Sequence, residues 1–214
     1  MPKTIETTLY AFGELSPEAK IRARDWYRSA APHDDWYDFV YEDFEAICTL
    51  LGITLSRRAT RLHGGGTGSR PCIWFSGFSS QGDGASFEGS YAYRARSLRA
   101  LSAHAPGDAV LRDIARRMQA LQRRHFYRLT ATISQRGRYV HARTMDVDVL
   151  RSDGAAVPEA VESDLTACLR DLADWLYRQL EREWDFRVSD EAVDEDIEAN
   201  ALLFTDEGRR WCHG

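Results

Sequence analysis

From Pro158 to about Trp184 the chain carries apolar side chains at Val161, Leu165, Leu169, Leu172, Leu176, Leu180 and Trp184, with Cys168, Ala173 and Tyr177 beside them. That spacing is the one-face repeat of an α-helix. A helix with a single apolar stripe needs a surface to cover it. Such a surface is legible just upstream. Residues 127–134 alternate Tyr127, Leu129, Ala131 and Ile133 with Arg128, Thr130, Thr132 and Ser134. Residues 141–150 alternate Met145, Val147 and Val149 with Thr144, Asp146 and Asp148, and the connection QRGRYV centres on Gly137. This pattern predicts a hairpin with one wet face and the long helix laid on the dry one.

Further strands are expected over 5–12, 53–62, 71–78 and 86–93. The run PCIWFSGF is apolar on both alternating faces, which suits a doubly buried strand with SFEGSYAY as its antiparallel neighbour. Ser16-Pro17-Glu18 opens a helix that reaches about Arg28. Asp34 or Asp35 caps a second, in which Trp36, Phe39, Val40, Phe44, Ile47, Leu50 and Leu51 recur at helical spacing before Gly52 stops it. A helical turn follows at LRALSAHAP. Residues 107–124 form an amphipathic helix with Val110, Leu111, Ile114, Met118 and Leu121 inward. Ser189-Asp190 caps a last helix. The expected fold class is α+β: an antiparallel sheet of about five strands with helices packed on one face and a helical C-terminal part. One domain is expected over 1–214, its sheet in 1–150 and its C-terminal helices, 158–200, packed on that sheet.

A chain of 214 residues that is 43% hydrophobic can bury a core without staples. Cys48, Cys72, Cys168 and Cys212 form no CxxC pair and read as core thiols of a reducing compartment. The N-terminus lacks the apolar core of a signal peptide, and no run approaches the roughly 18 apolar residues of a membrane span. A cytoplasmic protein with no membrane partner is expected. Net charge is -5, unevenly placed: Arg94 to Arg143 holds twelve arginines and two acids, whereas Glu181 to Glu207 holds eleven acids and two arginines. Such a split steers partners of either sign, or is internal, a basic helix lying against an acidic one.

The most distinctive stretch is FSGFSSQGDGASFEG, Phe75 to Gly89. Its polar groups Ser79, Gln81, Asp83, Ser86 and Glu88 make a candidate binding loop. Asp83 and Glu88, with Asp146 and Asp148 from a nearby strand, could hold a hard cation, although the spacing is not an EF-hand. The competing reading is a wide turn in which Asp83 and Ser86 bond local amides and Phe75, Phe78 and Phe87 anchor the base. HGGGTGSR, from His63, lacks the P-loop lysine and reads as a hairpin loop. The six histidines make no zinc pattern, and Ser76 stands in no GxSxG elbow. No catalytic residue and no cofactor is implied.

YAFGELSPEAKIRARDWYR, DWYDFVYEDFEAI, FSGFSSQGDGASFEGSY and DWLYRQLEREWDFRVSDEAVDEDIEAN occur in this order. Together they resemble a family of small bacteriophage and prophage proteins, some labelled antitoxins of toxin–antitoxin stability systems. The resemblance covers nearly the whole chain. It implies a non-enzymatic accessory protein that inhibits a bacterial defence or toxin component by direct binding, in the manner of an anti-CRISPR. The acids Glu191, Asp194, Glu195, Asp196 and Glu198 are a second candidate surface, since clustered carboxylates can imitate nucleic-acid phosphates. The alternatives are a small-ligand or metal-binding protein or enzyme using the Gln81–Glu88 loop, and nucleic-acid binding through Arg112, Arg116, Arg117, Arg123, Arg124 and Arg128. The acidic balance disfavours a nucleic-acid partner. Monomer and dimer both stay open, because Trp26, Tyr27, Trp36 and Tyr37 suit an interface or a core.

Overall fold

The computed structural model describes residues 6–30, 35–61 and 64–211. A two-residue strand, β1 (Tyr10–Ala11), runs into a 3-10 turn at Phe12–Glu14. The strand expected over 5–12 is cut short here, because Glu14 Oε2 accepts the Ala11 N–H; residue 5 lies outside the described residues. Helix α1 (Pro17–Ala30) starts as its sequence predicts, Ser16 Oγ accepting the Ala19 N–H at 3.2 Å. Helix α2 (Asp38–Leu51) begins later than its expected cap. Asp34 lies outside the described residues, and Asp35 adopts φ 60°, which cannot lead directly into a helix. Gly52 ends α2 at φ 88°, and a Cβ there would lie 2.2 Å from the Ala92 carbonyl oxygen.

The next three strand runs are each broken by one residue. Residues 53–62 give β2 (Ile53–Leu55) and β3 (Arg57–Arg61), split at Ser56. Residues 67–75 give β4 (Thr67–Pro71) and β5 (Ile73–Phe75), split at Cys72, so the strand expected over 71–78 ends at Phe75, and residues 67–70, expected as hairpin loop, are strand. Residues 85–92 give β6 (Ala85–Phe87) and β7 (Gly89–Ala92), split at Glu88. The three breaks meet. Ser56 N–H donates to Glu88 O at 2.8 Å, Cys72 N–H to Ser56 O at 2.7 Å, and Glu88 N–H to Cys72 O at 2.9 Å. This closed ring satisfies backbone groups that each interrupted ladder leaves over. Three antiparallel arms, β2–β7, β3–β4 and β5–β6, radiate from it.

Helices α3 (Ser97–His104) and α4 (Ala109–Arg124) follow, then β8 (Leu129–Gln135), β9 (Met145–Arg151), α5 (Glu159–Arg187), α6 (Asp190–Ala199) and β10 (Leu203–Phe204). The architecture is α+β with a helical C-terminal part. Its largest sheet is the antiparallel four-stranded β2–β7–β8–β9, not the five strands expected, because the breaks divert β3 to β6 into two-stranded arms.

The chain divides into two compact units, residues 37–181 and residues 1–36 with 182–214, the second boundary falling within α5. In the smaller unit β1 pairs with β10, and Phe12, Leu15, Ala19, Ala23, Val193, Ile197 and Phe204 form the core. In the larger unit Ala131 faces Val149 and Ile133 faces Val147, all four buried, while Asp148 on the opposite face is exposed. Leu165, Leu169, Leu172, Leu176 and Leu180 of α5 are buried as their spacing predicts. Asp108 ties α4 to α5: Oδ1 accepts the Leu111 N–H and Oδ2 accepts Trp175 Nε1–H, both at 2.8 Å.

Two expectations fail on α4 and after it. Val110 is exposed, the buried stripe starting at Leu111. Tyr127 does not begin β8, because Phe126 (φ 56°) and Tyr127 (φ 60°) form a left-handed pair, an arrangement that costs non-glycine residues about 1–2 kcal/mol each. Fully buried Gln122 holds this turn. Its carbonyl accepts the Tyr127 N–H at 2.6 Å. Its side-chain Nε2 donates to Leu129 O at 2.7 Å and Tyr91 Oη at 3.1 Å, and its Oε1 accepts the Leu129 N–H at 3.2 Å.

Cys48, Cys72 and Cys168 are buried free thiols, all pushed up in pKa first by desolvation, Cys168 to about 11. Cys212 lies outside the described residues. Among the described residues no helix is long and apolar enough to cross a membrane.

Candidate functional site

The Phe75–Gly89 stretch folds as the turn between β5 and β6, with Phe75 paired to Ala85. Ser76 N–H donates to Gly84 O at 3.0 Å, and Ser76 Oγ accepts the Gly84 N–H at 3.0 Å while donating to Val140 O at 3.1 Å. Asp83 accepts the N–H groups of Ser80 (2.7 Å) and Ser79 (2.9 Å). Those two bonds hold its carboxyl below the usual aspartate range. Gly84 packs against the following hairpin so closely that a Cβ would lie 2.5 Å from His141 Cβ.

The five candidate residues of this loop do not share one surface. Ser79 and Gln81 are exposed, and Asp83 serves the turn. Ser86, expected to bond local amides, is fully buried with no partner for its hydroxyl. Glu88 accepts the Gln135 N–H at 3.0 Å. Asp146 pairs with Arg136 at 2.8 Å. Among the described residues no three His, Cys, Asp or Glu side chains gather as metal ligands.

The acidic candidates lie on α6. Asp194 takes a two-pronged contact from Arg24, at 2.6 Å for each bond, and Asp196 accepts the Tyr27 hydroxyl at 3.2 Å. Arg24 and Arg28 also pair with Asp190. The acidic helix is thus paired with α1. Glu191, Glu195 and Glu198 are exposed.

A cleft of about 340 Å³ opens elsewhere in the larger unit, between α2 and the strands β3, β4 and β5. Tyr37 caps the start of α2 and Tyr41 stands one turn on, four residues away, so the two rings lie on the same side. Their rings are 4.8 Å apart, and Tyr37 meets Phe75 at 5.3 Å. The aromatic contacts continue through Phe78 (5.7 Å) to Tyr177 (5.4 Å), whose hydroxyl donates to Gly77 O at 3.0 Å. One chain of rings therefore joins the cleft to the glycine-rich turn. Opposite, the Arg58 guanidinium lies 5.6 Å over the Trp74 ring. Arg57 is taken by Glu45 and by Ser69, whereas Arg58 has no ion-pair partner among the described residues. Burial raises the Tyr41 hydroxyl far above the ordinary phenol range, so it stays a protonated donor at every physiological pH.

Asp38 and Glu42 add carboxylates to the lining, which among the described residues contains no serine, cysteine or histidine. The chemistry on offer is recognition: ring faces for an apolar or planar group, cations and carboxylates for its polar edges. Sequence reasoning missed this site. Its signal was the tyrosine pair in WYDFVYEDFEA beside the arginines of SRRATR, and neither run carries a motif alone.

The chain belongs to the family described as a domain of unknown function, DUF8835, which matches residues 36–190. No curated protein and no solved structure matches it. The matched region takes in the whole larger unit, with the cleft and the glycine-rich turn, while Glu191 to Glu198 lie beyond it.

Proposed function

We propose that this protein acts by binding rather than turnover, and that the cleft between α2 and β3 to β5 receives side chains of a protein partner. The observation that carries this is the pairing of a ring-lined wall (Tyr37, Tyr41, Phe75) with Arg58 over Trp74, in a lining that among the described residues has no serine, cysteine or histidine nucleophile. Aromatic and arginine side chains around a partly desolvated recess are the usual energetic centre of a protein interface. The resemblance to phage and prophage proteins supports the class of partner: a bacterial defence or toxin component, met in the cytoplasm of the host and blocked by occupancy, the antitoxin role being one form of this.

The test is affinity capture from phage-infected bacteria, with partners identified by mass spectrometry. Wild type is compared with Tyr41→Ala/Trp74→Ala and with Asp83→Ala/Glu88→Ala, each first shown to fold. A stoichiometric defence or toxin component lost only from the Tyr41/Trp74 variant supports the reading. Retention by that variant places the interface elsewhere, and loss only from the Asp83/Glu88 variant returns it to the glycine-rich turn.

A second reading rests on the size of the cleft, which falls in the range that holds small molecules. Calorimetry with nucleotides and divalent ions tests it, and flat titrations remove it.

A further inference from the structure

At the end of α4 the chain turns through two adjacent left-handed residues, and what that turn displays is aromatic. Phe126 is 74% exposed and Tyr127 46%. The Tyr127 ring lies against Tyr93, centroids 4.4 Å apart. Buried Gln122 fixes the turn from below through its bonds to Tyr127 N and to both backbone groups of Leu129. A strained turn held rigidly so that a phenylalanine faces water has no use in the core. Sustained backbone strain of this kind points to a functional surface.

Cations flank it. Arg123 and Arg124 precede the turn, Arg94 and Arg96 follow Tyr93, and all four are exposed. None has a carboxylate partner among the described residues. Arg94 is positioned by a bond to Thr49 O at 2.5 Å. By contrast Arg117 and Arg128, in the same basic region, are held by Asp171 and Asp153.

We propose that Phe126 and Tyr127, with Arg94, Arg96, Arg123 and Arg124, form a binding site for single-stranded nucleic acid, distinct from the cleft. The rings offer stacking faces to unpaired bases and the arginines meet the flanking phosphates. A duplex hides its base faces, so it gains only the phosphate contacts. An acidic protein segment would satisfy the arginines but leave the exposed Phe126 ring uncovered. The net charge of -5 weakens long-range attraction, so binding rests on these local arginine–phosphate contacts, and the counterions they release make it salt-dependent.

The experiment is fluorescence anisotropy of the full chain with a labelled oligothymidylate of about 12 nucleotides, inside the span such sites cover, and with a duplex of equal length, across a salt series. The strand is expected to bind more tightly than the duplex. Phe126→Ala should weaken strand binding about fivefold or more, the effect of losing one stacked base, and Phe126→Trp should restore it. Arg123→Gln/Arg124→Gln should lower the slope of log affinity against log salt by about 1.4. Circular dichroism and melting confirm that each variant folds. No binding at low salt, equal binding of duplex, or an unchanged affinity in Phe126→Ala overturns the proposal. So does a polyglutamate peptide that competes as well as the oligonucleotide, which would assign the surface to an acidic protein segment.

Discussion

Replacing Gln122 by methionine keeps the shape of the side chain and removes its amide. Leu129 lies one position beyond Thr130, where the pairing of β8 with β7 stops, and the Gln122 amide takes both its N–H and its C=O. Gln122 and Leu129 are completely buried, so water cannot replace the lost partner. Each buried backbone group left unsatisfied costs about 1–3 kcal/mol. Methionine no longer desolvates an amide of its own, which offsets part of this and leaves a loss of about 2–4 kcal/mol. For a chain of this size that corresponds to a fall in Tm of roughly 5–15 °C. The assay is equilibrium urea unfolding of wild type and Gln122→Met, with amide hydrogen exchange read at Leu129 and Tyr127. Faster exchange at both amides together with the stability loss is the expected result. A loss below about 1 kcal/mol with Leu129 still protected would refute the reasoning, since Leu129 would then have a partner other than Gln122. Gln122→Glu gives a pH signature. Burial raises its folded-state pKa, so this variant is most stable below the ordinary glutamate value and loses stability as pH rises through the raised one.

Asp83 runs the opposite way. Its folded-state pKa is lowered by the Ser80 and Ser79 amides, so its contribution is complete above the ordinary aspartate value and fades as pH falls through the lowered one. The gap in urea midpoint between wild type and Asp83→Asn should be widest at neutral pH and close in acid; a gap constant across that range contradicts the assignment. Gly84→Ala forces a Cβ against His141 and should cost about 1–3 kcal/mol, and an unchanged midpoint would show that the turn moves away freely. In the smaller unit, a double-mutant cycle of Arg24→Met and Asp194→Asn should return a coupling of about 1 kcal/mol; zero coupling would mean that their two-pronged contact is not kept in solution.

What could be read from the sequence was whatever burial on one face imposes. The leucines of α5 and the alternation of β8 and β9 repeat because each has one dry side. The breaks at Ser56, Cys72 and Glu88 leave no such trace. A single residue that redirects a strand changes no composition, and the reason for each break is a hydrogen bond to a residue at another break. The cleft was hidden for a related cause: Tyr41 and Arg58 are ordinary helix and strand residues until β3 to β5 fold beside α2. Asp83 was readable as a turn residue because its partners are local, three and four residues away. The partners of the α6 acids were not, because Arg24 lies 170 residues from Asp194.

The ring of three backbone bonds at Ser56, Cys72 and Glu88 bears on how such a protein can diverge. The bonds involve no side chain, so the junction itself asks only for a backbone N–H and C=O at each position, and what constrains Cys72 and Glu88 is separate: burial for one, the bond to the Gln135 N–H for the other. Each arm is rooted at the ring and grows outward from it. Adding or deleting residues at an arm's tip in pairs keeps every remaining side chain on its own face. Descendants can therefore lengthen or shorten the β3–β4 and β5–β6 arms, re-cutting the rim of the cleft and the glycine-rich turn, with the shared root and the four-stranded sheet left as they were.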